Sequence, residues 1–181
     1  MELADSPVIA AVRSLTEFEE ALRSPVETVF LLSASVLTLE EWIEQAHRAQ
    51  KQVFVHLDLA EGVGKDAAGL ALLCRFGADG VISTRASLIR LAKEYHLRSV
   101  QRFFIVDSHS VATAIDSIRV CSPDYAELMP GVVPKLISRL ACQVSLPLIA
   151  GGLVETKEEI IAAINAGAAA VSTGNRTLWY E

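Results

Sequence analysis

Two stretches decide the fold: Gly77-Ala78-Asp79-Gly80-Val81-Ile82-Ser83-Thr84 and, 90 residues later, Gly167-Ala168-Ala169-Ala170-Val171-Ser172-Thr173. Each opens on a glycine that can take the left-handed turn ending a helix. Each then runs through small and apolar residues into a pair of hydroxyls, the composition of a parallel strand buried on both faces. The offset is half of a 181-residue chain. Four strand–helix units therefore separate the two copies.

Working outward, further apolar runs complete a series of eight candidate strands at residues 8–12, 28–32, 52–57, 80–83, 99–106, 124–128, 147–150 and 169–172. Between them lie segments with apolar residues at three- and four-residue spacing, as in Leu39/Trp42/Ile43/Ala46, Leu88/Leu91/Ala92/Tyr95 and Val111/Ala114/Ile115/Ile118. Capping boxes are expected at Thr16…Glu19, Thr38…Glu41 and Thr156…Glu159. Eight βα units without a linker predict an α/β protein, a compact single-domain (β/α)8 TIM-like barrel over residues 1–181. Such barrels typically need about 250 residues, so this one is small. The rival arrangement, an open doubly wound sheet, requires a strand-order reversal that periodicity does not reveal.

Composition agrees. Hydrophobic residues make up 51% and aromatics only 6%, with a mean hydropathy of +0.37, so Val, Ile, Leu and Ala must build the core. Such a chain is not intrinsically disordered. Its longest uncharged stretches, 140–154 and 160–175, are interrupted by polar residues and glycine and are too short for a bilayer span. The beginning Met1-Glu2-Leu3-Ala4-Asp5 has no basic or apolar region of a targeting signal. Cys74, Cys121 and Cys142 show no metal-ligand spacing and suit a reducing compartment. A cytoplasmic protein, with no membrane partner and no metal, is expected. Charge is uneven: residues 1–61 carry −7, residues 62–102 carry +4 and residues 103–181 carry −3. The overall −6 argues against indiscriminate polyanion binding, while the centre leaves room for one basic face.

In a barrel, chemistry gathers in the loops after the strands. Gly151-Gly152 after the seventh strand and Ser172-Thr173-Gly174-Asn175 after the eighth offer bare backbone, hydroxyls and a short helix start, which together suit a phosphate. Arg13 ends the first strand and can assist bidentately. His56 and Asp58 are expected to share a strand face at the mouth, and Lys65 to close over an anion on a loop made flexible by Gly62 and Gly64. Glu127 suits ligand hydroxyls or general base work, while Asp66 reads as a helix cap. Arg85, Arg90, Lys93, Arg98 and Arg102 form the basic segment, for which a solvated surface is the plain explanation.

Read together, Pro7-Val8-Ile9-Ala10-Ala11-Val12-Arg13, Val55-His56-Leu57-Asp58-Leu59-Ala60-Glu61-Gly62-Val63-Gly64-Lys65-Asp66 and Asp79-Gly80-Val81-Ile82-Ser83-Thr84 form the first part of an ordered set. Gln101-Arg102, Asp107-Ser108, Glu127-Leu128-Met129-Pro130-Gly131, Ile149-Ala150-Gly151-Gly152-Leu153 and Val171-Ser172-Thr173 complete it. The set resembles the GlpP family, the glycerol uptake operon antiterminator regulatory proteins. The resemblance runs from about Pro7 to Trp179. It implies a small barrel that binds glycerol 3-phosphate as effector rather than substrate, contacts the leader mRNA of glycerol operons and needs no cofactor. On that basis Gly151, Gly152, Ser172, Thr173, Gly174, Asn175 and Arg13 would hold the phosphate. His56, Asp58, Lys65 and Glu127 would line the mouth, and Arg85, Arg90, Lys93 and Arg98 would meet RNA. The competing class is a lyase, aldolase or isomerase of a phosphorylated sugar or polyol, with His56, Asp58 or Glu127 as acid or base.

Overall fold

The computed structural model describes residues 7–181, so the reading of the first five residues lies outside the described part. Strands β1 (Val8–Val12), β2 (Thr28–Leu31), β3 (Gln52–His56), β4 (Gly80–Ser83), β5 (Arg98–Phe104), β6 (Tyr125–Met129), β7 (Leu148–Gly151) and β8 (Ala170–Thr173) pair in chain order, all parallel. β8 returns to β1 in the register Ile9↔Ser172 and closes the barrel. Helices α1 (Leu15–Arg23), α2 (Val36–Arg48), α3 (Ala67–Arg75), α4 (Ala86–Ala92), α5 (Ser108–Cys121), α6 (Pro134–Ala141) and α7 (Lys157–Asn165) follow β1 to β7. After β8 the chain makes only a 3₁₀ turn, Arg176–Tyr180. Short helices are how seven βα units and the closing strand fit into so few residues. Among the described residues, no helix is long and apolar enough to cross a membrane.

Because side chains alternate along each strand, the register decides what fills the barrel. Ile9, Phe30, Phe54, Ile82, Val100, Ile149 and Ala170 pack together inside it, with Tyr125 against them. Val53, Val55, Val81, Val171 and their like face the helices in a second, larger cluster. Two residues further along the same inward faces come His56, Arg102, Glu127, Gly151 and Ser172. The upper layer of the barrel, toward the C-terminal ends of the strands, is thus polar.

Local signals hold in part. Gly77 and Gly167 end their helices with φ of 82° and 106°. Thr156 caps α7 with the full reciprocal box to Glu159. The other two boxes fail. Ser14, not Thr16, caps α1, and Ser35, not Thr38, caps α2. Each winning serine stands directly before the first helical residue, in extended backbone, where its hydroxyl meets the first free N–H groups. An unforeseen box, Asp107 with Ser110, starts α5. Strand β3 ends at His56 rather than Leu57, because Leu57–Leu59 turn into a 3₁₀ helix.

Candidate functional site

A cavity of about 360 Å³ opens at the C-terminal mouth, within the roughly 300–1,000 Å³ typical of small-molecule sites. Its wall includes Arg13, Arg102, Met129, Gly152, Ser172, Thr173, Gly174 and Asn175. The two loops beside it are laced together. Thr173 Oγ1 donates to the Val154 carbonyl at 2.8 Å, Asn175 Nδ2 donates to the Glu155 carbonyl at 2.9 Å, and Trp179 Nε1 donates to the Thr173 carbonyl at 2.9 Å. The wall is therefore preformed, with its rotamers held by bonds between the loops rather than by a ligand.

Arg13 enters from the end of β1. Its guanidinium Nη1 lies 3.0 Å from where a Cβ on Gly174 would stand, so a glycine at 174 is what lets the two meet. No acidic side chain pairs with this guanidinium among the described residues. A cation without a partner beside bare backbone is a place for an anion. The expected helix start contributes less. Asn175 Oδ1 already accepts from the N–H and hydroxyl of Thr177, and the turn behind it is five residues long.

Gly151 needs a correction. It is absent from the cavity wall, and a Cβ there would fall 2.5 Å from Glu127 Oε1 and 2.7 Å from Ser172 Oγ. The missing side chain makes room for a buried network rather than for a ligand. In that network Glu127, fully buried, accepts from Arg102 Nε at 2.6 Å and from Ser172 Oγ at 2.6 Å. Each carboxylate oxygen accepts one of these bonds, and Glu127 is not part of the cavity wall. Arg13 takes no part in this network.

Arg102 is the residue that sequence reasoning misplaced. It belongs to the basic segment along the chain but points into the barrel, 6% exposed, with Nη2 buried and without a partner. The signal was present. Arg102 stands two residues after Val100 in a strand of period two, on the inward face.

His56 also points inward, is 4% exposed, and leaves Nδ1 without a partner. Burial, then the nearby Arg102 charge, lowers its pKa to about 4, so the ring is neutral at ordinary pH. It does not reach the cavity wall.

Asp58 does not share a strand face with His56, because it lies on the 3₁₀ turn after β3. Its Oδ1 accepts from Ser83 Oγ at 2.9 Å, and its Oδ2 from Thr84 N at 2.7 Å and Thr84 Oγ1 at 2.9 Å. Arg85 Nε stands 3.5 Å away. Burial alone would raise the Asp58 pKa, but these donors outweigh it and leave the carboxyl below its usual value. Asp58 thus fastens the loop after β4 to the loop after β3. Lys65 does not close over the mouth. Its ammonium donates to the carbonyls of Ala60 and Val63 within its own loop, and burial lowers its pKa. Asp66 caps α3 as expected.

The basic segment does not form one face. Arg85 stands at the start of α4, near the C-terminal mouth. Arg98 begins β5 at the opposite end, where it donates to Gln52 Oε1 at 2.9 Å and lies 4.9 Å over the Phe54 ring. Arg90 and Lys93 are exposed at the far end of α4, without an acidic partner among the described residues. Cys74 and Cys142 are exposed free thiols, and Cys121 is buried.

Fold and site together define a closed (β/α)8 barrel with a preformed cavity between its first, seventh and eighth strand ends. The chain belongs to the glycerol-3-phosphate responsive antiterminator family, whose model matches residues 8–179. It is 35% identical over 178 residues to the uncharacterized protein YgcP of Escherichia coli (strain K12), covering 98% of this chain and 93% of that one. The crystal structure of the glycerol uptake operon antiterminator regulatory protein from Listeria monocytogenes superposes with a TM-score of 0.94 at 32% identity, covering 99% and 97% of the two chains. A glycerol uptake operon antiterminator-related protein from Thermotoga maritima matches at 0.85 and 32% identity, covering 95% and 96%.

Proposed function

We propose that this chain is an RNA-binding antiterminator that takes glycerol 3-phosphate as effector in the cavity at its C-terminal mouth and engages the leader mRNA of glycerol-utilisation operons in response. The observation that carries the reading is the cavity itself, with the Arg13 guanidinium, which has no acidic partner among the described residues, beside Gly174 on its wall. Membership of the family supports the identity of the effector. The chemistry of the wall supports an effector over a substrate. It contains no lysine for a Schiff base and no histidine, and its one acidic residue, Glu155, is exposed.

Arg13, Gly152, Thr173, Gly174 and Asn175 take the phosphate in this reading. Effector and RNA are linked sites, so each changes the affinity of the other by one shared factor. Within the basic segment Arg90 and Lys93 have no acidic partner among the described residues and can meet RNA, since Arg98 and Arg102 are engaged in the barrel and Arg85 stands beside Asp58. Leader RNA titrated by mobility shift, with and without saturating glycerol 3-phosphate, tests the proposal. An affinity change of about fivefold or more is expected, matched by an equal change in effector affinity when RNA is saturating. Identical RNA curves in both conditions overturn it.

A further inference from the structure

Two arginines border the same cavity, and they differ in every electrostatic respect. Arg13 is exposed and has no acidic partner among the described residues. Arg102 is 6% exposed and already bonded to Glu127 at 2.6 Å through Nε, with Nη2 left over. We infer that the site reads its ligand end for end: the phosphate rests against Arg13 at the rim, and an uncharged hydroxyl end descends to Arg102, whose guanidinium donates to it. This rests on the effector reading above and adds the orientation of the ligand and the exclusion of a second anion from its far end.

Desolvation gives the direction. A phosphate carries nearly two charges, and removing it from water is far costlier than removing a hydroxyl. The rim leaves a phosphate partly hydrated, whereas the floor does not. Charge balance points the same way. The Arg102–Glu127 pair is neutral overall, so a second anion at the floor would meet the Glu127 carboxylate across one guanidinium, in a medium that screens poorly. A hydroxyl oxygen accepts a proton from the Arg102 guanidinium without that repulsion. Glu127 is itself fixed by Ser172 Oγ at 2.6 Å, so Arg102 is held in place before any ligand arrives. Gly151 protects the arrangement, because any side chain there would collide with Glu127 and Ser172.

The test uses the intact chain and calorimetric titration with three probes: glycerol 3-phosphate, glycerate 3-phosphate and inorganic phosphate. Glycerate 3-phosphate has the same length but carries a carboxylate where the other probe has its terminal hydroxyl. On the wild type it is expected to bind at least tenfold more weakly than glycerol 3-phosphate. Equal or tighter binding of glycerate 3-phosphate overturns the inference. The paired variant Arg102→Met with Glu127→Gln removes the donor without stranding a buried charge. It is expected to lose about 10- to 100-fold in glycerol 3-phosphate affinity, as for a hydrogen bond to a charged group, while inorganic phosphate stays within about twofold. If both probes weaken together in a folded variant, Arg102 holds the phosphate and the orientation is wrong. The comparison of probes on the wild type decides the matter even if the variant does not fold. A wild type that takes up none of the three refutes the effector reading itself, a result distinct from a reversed preference.

Discussion

Replacing Gly151 by alanine tests the internal network more sharply than any substitution on the surface. The new Cβ would stand 2.5 Å from Glu127 Oε1 and 2.7 Å from Ser172 Oγ, whereas ordinary contact begins near 3.4 Å. The carboxylate would have to retreat by about 0.9 Å, the shortfall between those distances. Its bonds to Arg102 and Ser172 are both 2.6 Å, so a shift of that size takes at least one out of range. A lost bond to a charged group costs about 1.5–3 kcal/mol and overpacking about 1–3 kcal/mol. The two overlap, so a net loss of about 2–5 kcal/mol is expected. Urea unfolding followed by circular dichroism, with an unchanged slope, would measure it. Gly152→Ala is the natural contrast. Its Cβ would approach only the mobile Met129 Cε at 3.1 Å, and the cost is chiefly that of the left-handed backbone at φ +77°, about 1–2 kcal/mol. A Gly151→Ala variant within about 0.5 kcal/mol of wild type, or less affected than Gly152→Ala, would refute the reasoning.

Other outcomes follow from the same contacts. His56 has a folded pKa of about 4 against 6.5 in a free chain, so between those values the unfolded state binds the extra proton. Stability should therefore fall as pH drops from about 6.5 toward 4, by at most about 3 kcal/mol, and His56→Gln should flatten that window in pH-dependent melting. Lys65→Met should cost about 1–3 kcal/mol by stranding two carbonyls, yet leave glycerol 3-phosphate affinity unchanged in calorimetry. Gly174→Ala should fold normally but push Arg13 aside, since its Cβ would lie 3.0 Å from Nη1, and weaken the same ligand about tenfold.

What was legible along the chain is what depends on near neighbours and period. The strand series follows from apolar runs, and the junctions at Gly77 and Gly167 follow from backbone freedom that one residue type supplies. The loops after β7 and β8 were found because glycine and hydroxyl residues cluster there. The failures concern partners brought together by strand pairing. Glu127 meets Arg102 25 residues away and Ser172 45 residues away. Asp58 meets Ser83 and Thr84 across β3 and β4, at separations of 25 and 26 residues. A carboxylate looks free in sequence until its donors arrive from another strand. The +4 segment misled for a related reason: counting charge ignores direction, and alternation along β5 sends Arg98 and Arg102 inward. The paired hydroxyls Ser14/Thr16 and Ser35/Thr38 show the same limit on a smaller scale. Either residue can cap, and where the backbone turns from extended to helical decides which does.

The central claim is that a phosphorylated ligand is held between Arg13 and the loops after β7 and β8. A phosphorus NMR titration of glycerol 3-phosphate against the wild type and an Arg13→Ala variant, followed over hours, tests it most directly. The account predicts saturable broadening or shift with the wild type, no new resonance, and loss of the effect in the variant. An unaltered effect in the variant, or a new phosphorus resonance growing with protein concentration, would contradict it.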